Sequence, residues 1–275
     1  MTDQECVAFL QWALPSLGLR WPGFRRVRRQ VCKCISRRMA ELGLTDAVAY
    51  RARLETDRGE WSVLDACCRI SVSRFYRDRR VFGDLGDKIL PELARAAIAH
   101  DRRFLSAWSA GCASGEEPYS LKLAWDLVVA PAPTDAEFQI VATDASPELL
   151  KRAQRGVYPA SALKQLPAGW RSAAFNEVDG SYRLRDRFRV GVEFRQEDIR
   201  ETMPSGPFDL ILCRNLAFTY FEPELQRAVL KKLVKRILPG GALLVGSHEA
   251  LPKLAVLVRS ASTAGLYYVK NGAAT

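Results

Sequence analysis

Apolar residues recur along the chain in two rhythms. From residue 6 to about 64 they fall at helical steps. Phe24, Val27, Val31, Ile35, Met39 and Leu42 form one face of an amphipathic helix that Gly43 stops. No Val/Ile-rich run of strand length interrupts this stretch. From about residue 103 the pattern changes to short, largely apolar runs. Segments 104–108, 138–143, 208–213 and 242–246 read as buried strands, and Pro239-Gly240-Gly241 reads as a turn into the last of them. Helical patterns over 116–129, 147–154 and 225–237 separate these runs. Such alternation predicts an α/β fold, a largely parallel sheet with helices on both faces. Between Gly156 and Asp198 the short alternating segments 181–184 and 192–195 predict a small antiparallel insert. No internal repeat or low-complexity segment is present.

Composition narrows the class. Of 275 residues, 48% are hydrophobic, enough for a packed core and too many for wholesale disorder. No apolar run approaches the roughly 20 residues of a membrane helix, so no membrane insertion is expected. The acidic start Met1-Thr2-Asp3-Gln4-Glu5 lacks the order of a secretion signal. A soluble, cytoplasmic protein is the expectation. Cys32-x-Cys34 and Cys67-Cys68 lack zinc-site spacing and fall in apolar-periodic segments, where reduced cysteines act as small buried hydrophobes. No metal is expected. His100 and His248 are too few for a His-based metal site or a Ser-His-Asp triad, and read as surface or local hydrogen-bonding groups.

The net charge of +10 has a visible source. Arg25, Arg26, Arg28, Arg29, Lys33, Arg37 and Arg38 follow one another with no acid between Arg20 and Arg38. The stripe reads either as a solvated helix face or as a docking surface for a polyanion. It lacks interleaved aromatics for base stacking, so stable nucleic-acid binding is not expected.

The candidate chemistry lies in the second region. Gly111-x-x-x-Gly115 follows the first strand, and Asp144 ends the second. A glycine turn lets backbone approach a nucleotide-type cofactor while an acid accepts hydrogen bonds from the ribose. Glu116-Glu117 follows at once, a poor neighbour for pyrophosphate but an acceptable one for a sulfonium, which tips the choice from NAD to S-adenosylmethionine. The alternative for Asp144 is a cap on the helix starting near Pro147.

Five segments together resemble the CheR-type protein-glutamate methyltransferases, which modify chemotaxis receptors. They are SVSRFYRD at 71–78, WSAGCASGEEPYSL at 108–121, IVATDASPELLKRAQRGVY at 140–158, GPFDLILCRNLAFTYF at 206–221 and LPGGALLVGSHEAL at 238–251. The resemblance implies a Rossmann-like S-adenosylmethionine-dependent methyltransferase sheet, a small antiparallel β-subdomain and an all-helical N-terminal domain. The corresponding boundaries are 1–75 for substrate docking and 76–275 for the cofactor domain, with the insert at about 157–195. It further implies cofactor contacts from Ser71, Ser73, Arg77, Gly111, Glu116, Asp144, Asp198, Ile199, Arg214 and Asn215. Arg77 and Tyr220 take catalytic roles by the same resemblance, and Arg25, Arg29 and Lys33 dock the substrate.

The implied reaction is displacement at the sulfonium methyl by a glutamate carboxylate, leaving S-adenosylhomocysteine. A free Glu has a pKa near 4.3, so the nucleophile is already ionised and no general base is needed. The two-pronged guanidinium of Arg77 can orient that carboxylate; its alternative is a surface ion pair with Asp78 or Asp84. Departures from the family pattern are serines at 71 and 73 for Asn and Thr, Tyr76 within the usual FFR, and Tyr220 five rather than four residues after Asn215. The expected partner is an acidic helical protein, with a methyl-accepting receptor as first choice. The alternatives are a small carboxylic acid or peptide, an RNA substrate, or a cofactor-binding regulator without catalysis. Oligomeric state is not legible.

Overall fold

The computed structural model of the chain describes residues 1–130 and 137–270. Contacts group them into two units, Met1–Ser71 with Leu216–Arg227, and Val72–Asn215 with Ala228–Thr275.

The first unit is helical because its starts are chemically marked. Thr2 and Glu5 form a capping box on α1 (Asp3–Ser16). After α2 (Trp21–Phe24) and α3 (Arg28–Glu41), Asp46 caps α4 (Ala47–Thr56) and Asp57 caps α5 (Arg58–Cys68). The continuous helix expected over 24–42 is broken at 25–27, where Arg28 donates to the Arg25 carbonyl at 2.8 Å and pairs with Asp3 at 2.9 Å. The apolar stripe nevertheless faces inward: Phe24, Val31, Ile35 and Met39 are buried. Glu60 is buried on α5, where Arg38 and the Tyr50 hydroxyl donate to its carboxylate.

The cysteines correct the sequence expectation. Cys6 is bonded to Cys32, and Cys34 to Cys67; only Cys68 of this group stays outside a disulfide, in the core. Residues two apart on a helix point to different sides. Cys32 and Cys34 therefore reach α1 and α5 respectively, which a reading of sequence spacing alone does not reveal.

The helix Ala217–Tyr220 and its flanks also fold into this unit, not with the sheet strands that precede them. Leu19 bridges Phe221, and the Arg20 guanidinium donates to the carbonyls of Phe218 (2.6 Å) and Thr219 (3.1 Å). At Gly23 an added Cβ would lie 2.4 Å from the Thr219 oxygen, so only glycine permits this approach.

The second unit opens with α6 (Arg79–Asp84) and α7 (Leu90–Ala99), joined through a wider helical turn at Leu85–Ile89. Next come β1 (Phe104–Ala110), α8 (Glu116–Ala124), β2 (Glu137–Asp144) and α9 (Pro147–Arg155). A small antiparallel sheet follows: β3 (Val157–Pro159), then, after α10 (Trp170–Ala174), β4 (Phe175–Val178) and β5 (Ser181–Leu184), in the order β3-β5-β4. The chain then returns through β6 (Val192–Gln196), β7 (Phe208–Leu212), β8 (Ile237–Leu244), β9 (Leu257–Arg259) and β10 (Leu266–Val269).

The main sheet runs β6-β2-β1-β7-β8-β10-β9, with the first five strands parallel and β10 antiparallel to both neighbours. The predicted mixed α/β class is borne out. Val192–Gln196, read as part of the antiparallel insert, instead pairs parallel with β2. Its alternation is that of an edge strand: Val192 and Phe194 pack on the core, while Glu193 and Arg195 pair in solvent. Pro239-Gly240-Gly241 likewise belongs within β8, at an irregularity in its register with β7.

All five residues of β7 are buried, and burying a large aliphatic side chain contributes about 2 kcal/mol. Strand order reverses at β1, since the chain proceeds outward to β2 and β6 before returning to β7 on the other side. The carboxyl ends of strands at such a reversal are where open α/β sheets form a ligand crevice.

Candidate active site

The glycine turn emerges from β1 at that edge. Gly111 and Cys112 donate to the Thr143 carbonyl (2.8 and 2.9 Å), and Ala113 takes a positive φ of 49°. Gly115, with φ 90°, caps α8; a Cβ there would meet that of Ala153 at 2.8 Å. The glycine is thus demanded by close packing of α8 against α9 as well as by its backbone angle.

Asp144, partly buried at the end of β2, accepts from the Ala113 amide and the Ser146 amide, each at 2.9 Å. These bonds fix its carboxylate between the turn and the next loop. Helix α9 is capped by Ser146, whose hydroxyl accepts from Leu149. The cap alternative for Asp144 is thereby replaced by a neighbour. Glu116 is buried with the Ser114 hydroxyl 3.0 Å from both its carboxylate oxygens.

A second cluster surrounds the 75–78 turn. Phe75 is buried edge-on to Tyr158 and Phe175, and the Tyr76 ring packs on Phe82 and Trp170. Tyr76 and Asp78 both have left-handed backbone, φ 56° and 66°, which non-glycine residues adopt only when their surroundings impose it. Here the imposing contacts are explicit. The Tyr76 amide donates to the Ser120 hydroxyl (2.8 Å), which itself donates to the Glu116 carbonyl (2.6 Å). The Asp78 carboxylate pairs with Arg214.

Arg77 sits between those two residues, half-buried. Its guanidinium donates to the Val72 carbonyl at 3.0 Å and forms no ion pair among the described residues. The alternative reading, an ion pair with Asp78 or Asp84, does not hold. Asp78 is taken by Arg214, and Asp84 by Lys88 and Thr263.

Arg214 has a buried side chain that spans Asp78 and Glu117, the latter at 3.2 Å. Glu117 also accepts from the Ser109 hydroxyl at 2.8 Å. Burial pushes the Glu117 carboxyl above its usual range; Arg214, Ser109 and the charge of Arg77 offset part of that rise. Arg214, which the resemblance offers as a cofactor contact, is therefore committed to protein carboxylates.

The remaining predicted residues scatter. Asp198 is clasped by the amide and guanidinium of Arg200, next to buried Ile199. Asn215 has φ 53°, and its amide donates to Glu249 at 2.9 Å. Ser73 lies in the irregular stretch before Phe75, and Ser71 closes the first unit. Tyr220 also belongs to the first unit: its ring packs 5.0 Å from Phe24, and its carbonyl accepts from the Arg20 amide. Arg25, Arg29 and Lys33 are exposed there and have no side-chain hydrogen bond or ion pair among the described residues. His100 reaches the Ala96 carbonyl at 2.8 Å, and His248 is exposed.

Sequence reasoning missed Glu117 as the partner of Arg214, Glu249 as the anchor of Asn215, and Glu197. The amide of Glu197 donates to the Asp144 carbonyl at 3.2 Å, and its buried Oε2 has no hydrogen-bond partner. The GEE motif was a signal for Glu117. Nothing local marks the other two.

These groups fit S-adenosylmethionine. It is cationic and rich in donors, and the crevice offers the fixed carboxylate of Asp144, buried Glu116 and the unmet acceptor of Glu197. The turn at Gly111 supplies backbone at the strand end.

Comparison with known proteins agrees. The model of the CheR methyltransferase SAM-binding domain matches residues 71–264. A chemotaxis protein methyltransferase of Listeria monocytogenes is 34% identical over 182 residues, which are 66% of either chain. The chain thus spans just under two thirds of that relative. Chemotaxis protein methyltransferase 2 of Pseudomonas aeruginosa is 33% identical over 82% of this chain and 80% of its own. Among solved structures, the N-methyltransferase NodS of Bradyrhizobium japonicum overlaps 66% of this chain and 93% of its own at 15% identity, with a TM-score of 0.36.

Proposed function

The chain belongs to the CheR methyltransferase family, and on that footing we propose that it transfers the methyl group of S-adenosylmethionine to glutamate carboxylates of an acidic helical protein in the cytoplasm. A methyl-accepting receptor is the first candidate. The observation that carries this reading is Arg77, held between two left-handed residues with its carboxylate neighbours engaged elsewhere.

When bound, the cofactor supplies an electrophilic methyl on a sulfonium. The protein's part is alignment. Asp144 and the Gly111 turn would hold the nucleoside end, with Glu197 as a further acceptor. With the cofactor bound, Glu116, and Glu117 through its pair with Arg214, would supply the carboxylates that favour a cationic centre. Arg77 presents a fork to the incoming carboxylate, fixing its attack direction without taking its proton. Tyr220 contributes a hydrogen bond to substrate or cofactor. Arg25, Arg29 and Lys33 attract the acidic helix, a long-range effect that salt weakens.

The test uses methyl-labelled cofactor, the full chain and lysate of source cells lacking the gene. Labelled protein bands that release methanol in mild base support the reading. Base-stable label on RNA, or label confined to small molecules, overturns it. Arg77→Ala is expected to lower turnover by about 100-fold with the fold intact. Charge reversal at Arg25, Arg29 and Lys33 is expected to raise KM alone.

A further inference from the structure

A cleft of about 530 Å³ opens in the second unit, lined by α6 and by the loop between β9 and β10. Its walls carry two guanidiniums, Arg80 and Arg259. Neither forms a hydrogen bond or ion pair with a described residue. Between them lie Asp84 and the hydroxyl-bearing run Ser260, Ser262 and Thr263.

The cleft is built rigidly. The Ser260 hydroxyl accepts from the amides of Ser262 and Thr263, and buried Thr263 donates to Asp84 at 2.9 Å. Gly265 receives the Val245 amide at 2.8 Å, where a Cβ would lie 2.4 Å from the Val245 oxygen. The loop is thereby seated on the end of β8. That is the same carboxyl edge of the sheet that carries Gly111 and Asp144, and Arg80 follows Arg77 by three residues.

The charge defines the ligand. Burial alone would raise the Asp84 carboxyl, but hydrogen bonds from Lys88 and Thr263 and the charges of Lys88 and Arg80 outweigh it and lower the group. Lys88 already pairs with Asp84 at 3.1 Å, so the two guanidiniums leave the lining net positive and suited to an anion. Val81 in the floor and Ala261 and Ala264 in the loop suit a short methylene stem. Two unpartnered forks in one cleft match bidentate carboxylate recognition.

We propose that this cleft is a second carboxylate subsite, in which Arg80 and Arg259 grip an acidic side chain neighbouring the glutamate that is methylated. It rests on the proposed reaction for its biological meaning but not for its test. The enzyme would then select a glutamate by the acid beside it.

The experiment titrates acetyl-triglutamate amide into the ¹⁵N-labelled full chain saturated with S-adenosylhomocysteine. Expected are amide shifts at Ser260–Gly265 that weaken about tenfold in affinity in R80Q/R259Q and persist in R95Q/R103Q, which removes the same charge elsewhere. Equal affinity in the cleft variant, or shifts absent from this loop in the wild type, overturns the subsite. Inorganic phosphate binding there more tightly than the peptide overturns the carboxylate assignment. The same variants in the labelling assay should raise KM with kcat within twofold. Peptide binding without any protein methyl ester would sink the proposed reaction and leave the subsite standing.

Discussion

The two units hold themselves together by different means. The second encloses a seven-stranded sheet, and its thiols, Cys112 and Cys213, are buried outside any disulfide. The first has about eighty residues, a size at which surface outweighs interior. It adds two covalent links to its core of Phe9, Leu10, Leu14, Ile35 and Tyr50, and both links leave from α3. The helix bearing the basic stripe is thus the cross-linked one. The lesson is that rigidity is placed by size: the sheet unit draws it from buried strands, and the helical unit, where its thiols are oxidised, adds sulfur.

The largest effect separating the units is expected from Asp144→Ala. It should weaken S-adenosylhomocysteine binding at least 100-fold by calorimetry while hydrogen-exchange protection of α1–α5 stays unchanged. Altered protection there would mean that the division is not energetic. Next comes removal of the links. Closing loops of this length stabilises by up to about 3–4 kcal/mol each, so C6S/C34S or reductant should lower the protection of α1–α5 by that order. Cofactor affinity should remain within twofold. Such links persist in oxidising surroundings and open where thiols are kept reduced, so the same measurement across reductant concentrations reads the redox range over which the unit is stapled.

The smallest effect has opposite signs in the two units. Arg38, against the cost of burial and with help from Tyr50, lowers the Glu60 carboxyl below its ordinary 4.5. Its stabilisation is present above that value and is lost as pH falls through the lower folded value. Burial raises Glu117 above 4.5, so its contribution is present below that value and is lost as pH rises through the higher folded one. Subtracting the pH profiles of E60Q and E117Q from the wild type should give slopes of opposite sign, read as denaturant midpoints of each unit. Slopes of like sign would contradict these environments.

Much of the sheet was legible because continuous apolar runs such as Ala242–Leu244 have few other destinations. The edge strand Val192–Gln196 was misread because half-exposed alternation looks the same in a hairpin and at the rim of a parallel sheet. The motif residues Gly111, Asp144 and Arg77 fell near the expected strand ends and turn. What sequence could not convey were pairings fixed only by three-dimensional approach. Arg214 is separated by well over a hundred residues from Asp78, and Cys34 meets Cys67 only once α3 and α5 are packed. The fate of Leu216–Arg227 was hidden for the same reason: its motif continues from β7, but Arg20 and Gly23 draw it into the helical unit.

That last exchange orders events on the ribosome. Helices α1–α5 emerge first, yet the strand-like contact at Leu19 and the acceptors of Arg20 lie in a segment synthesised roughly 150 residues later. At about 5–20 residues per second the nascent helices wait on the order of ten seconds or more for their last piece. A fragment ending at Ser71 would emerge without that piece, with Leu19, Phe24 and the Arg20 guanidinium lacking the surface they fold against. Completion of the earlier unit is thereby a signal that most of the later one has already been made.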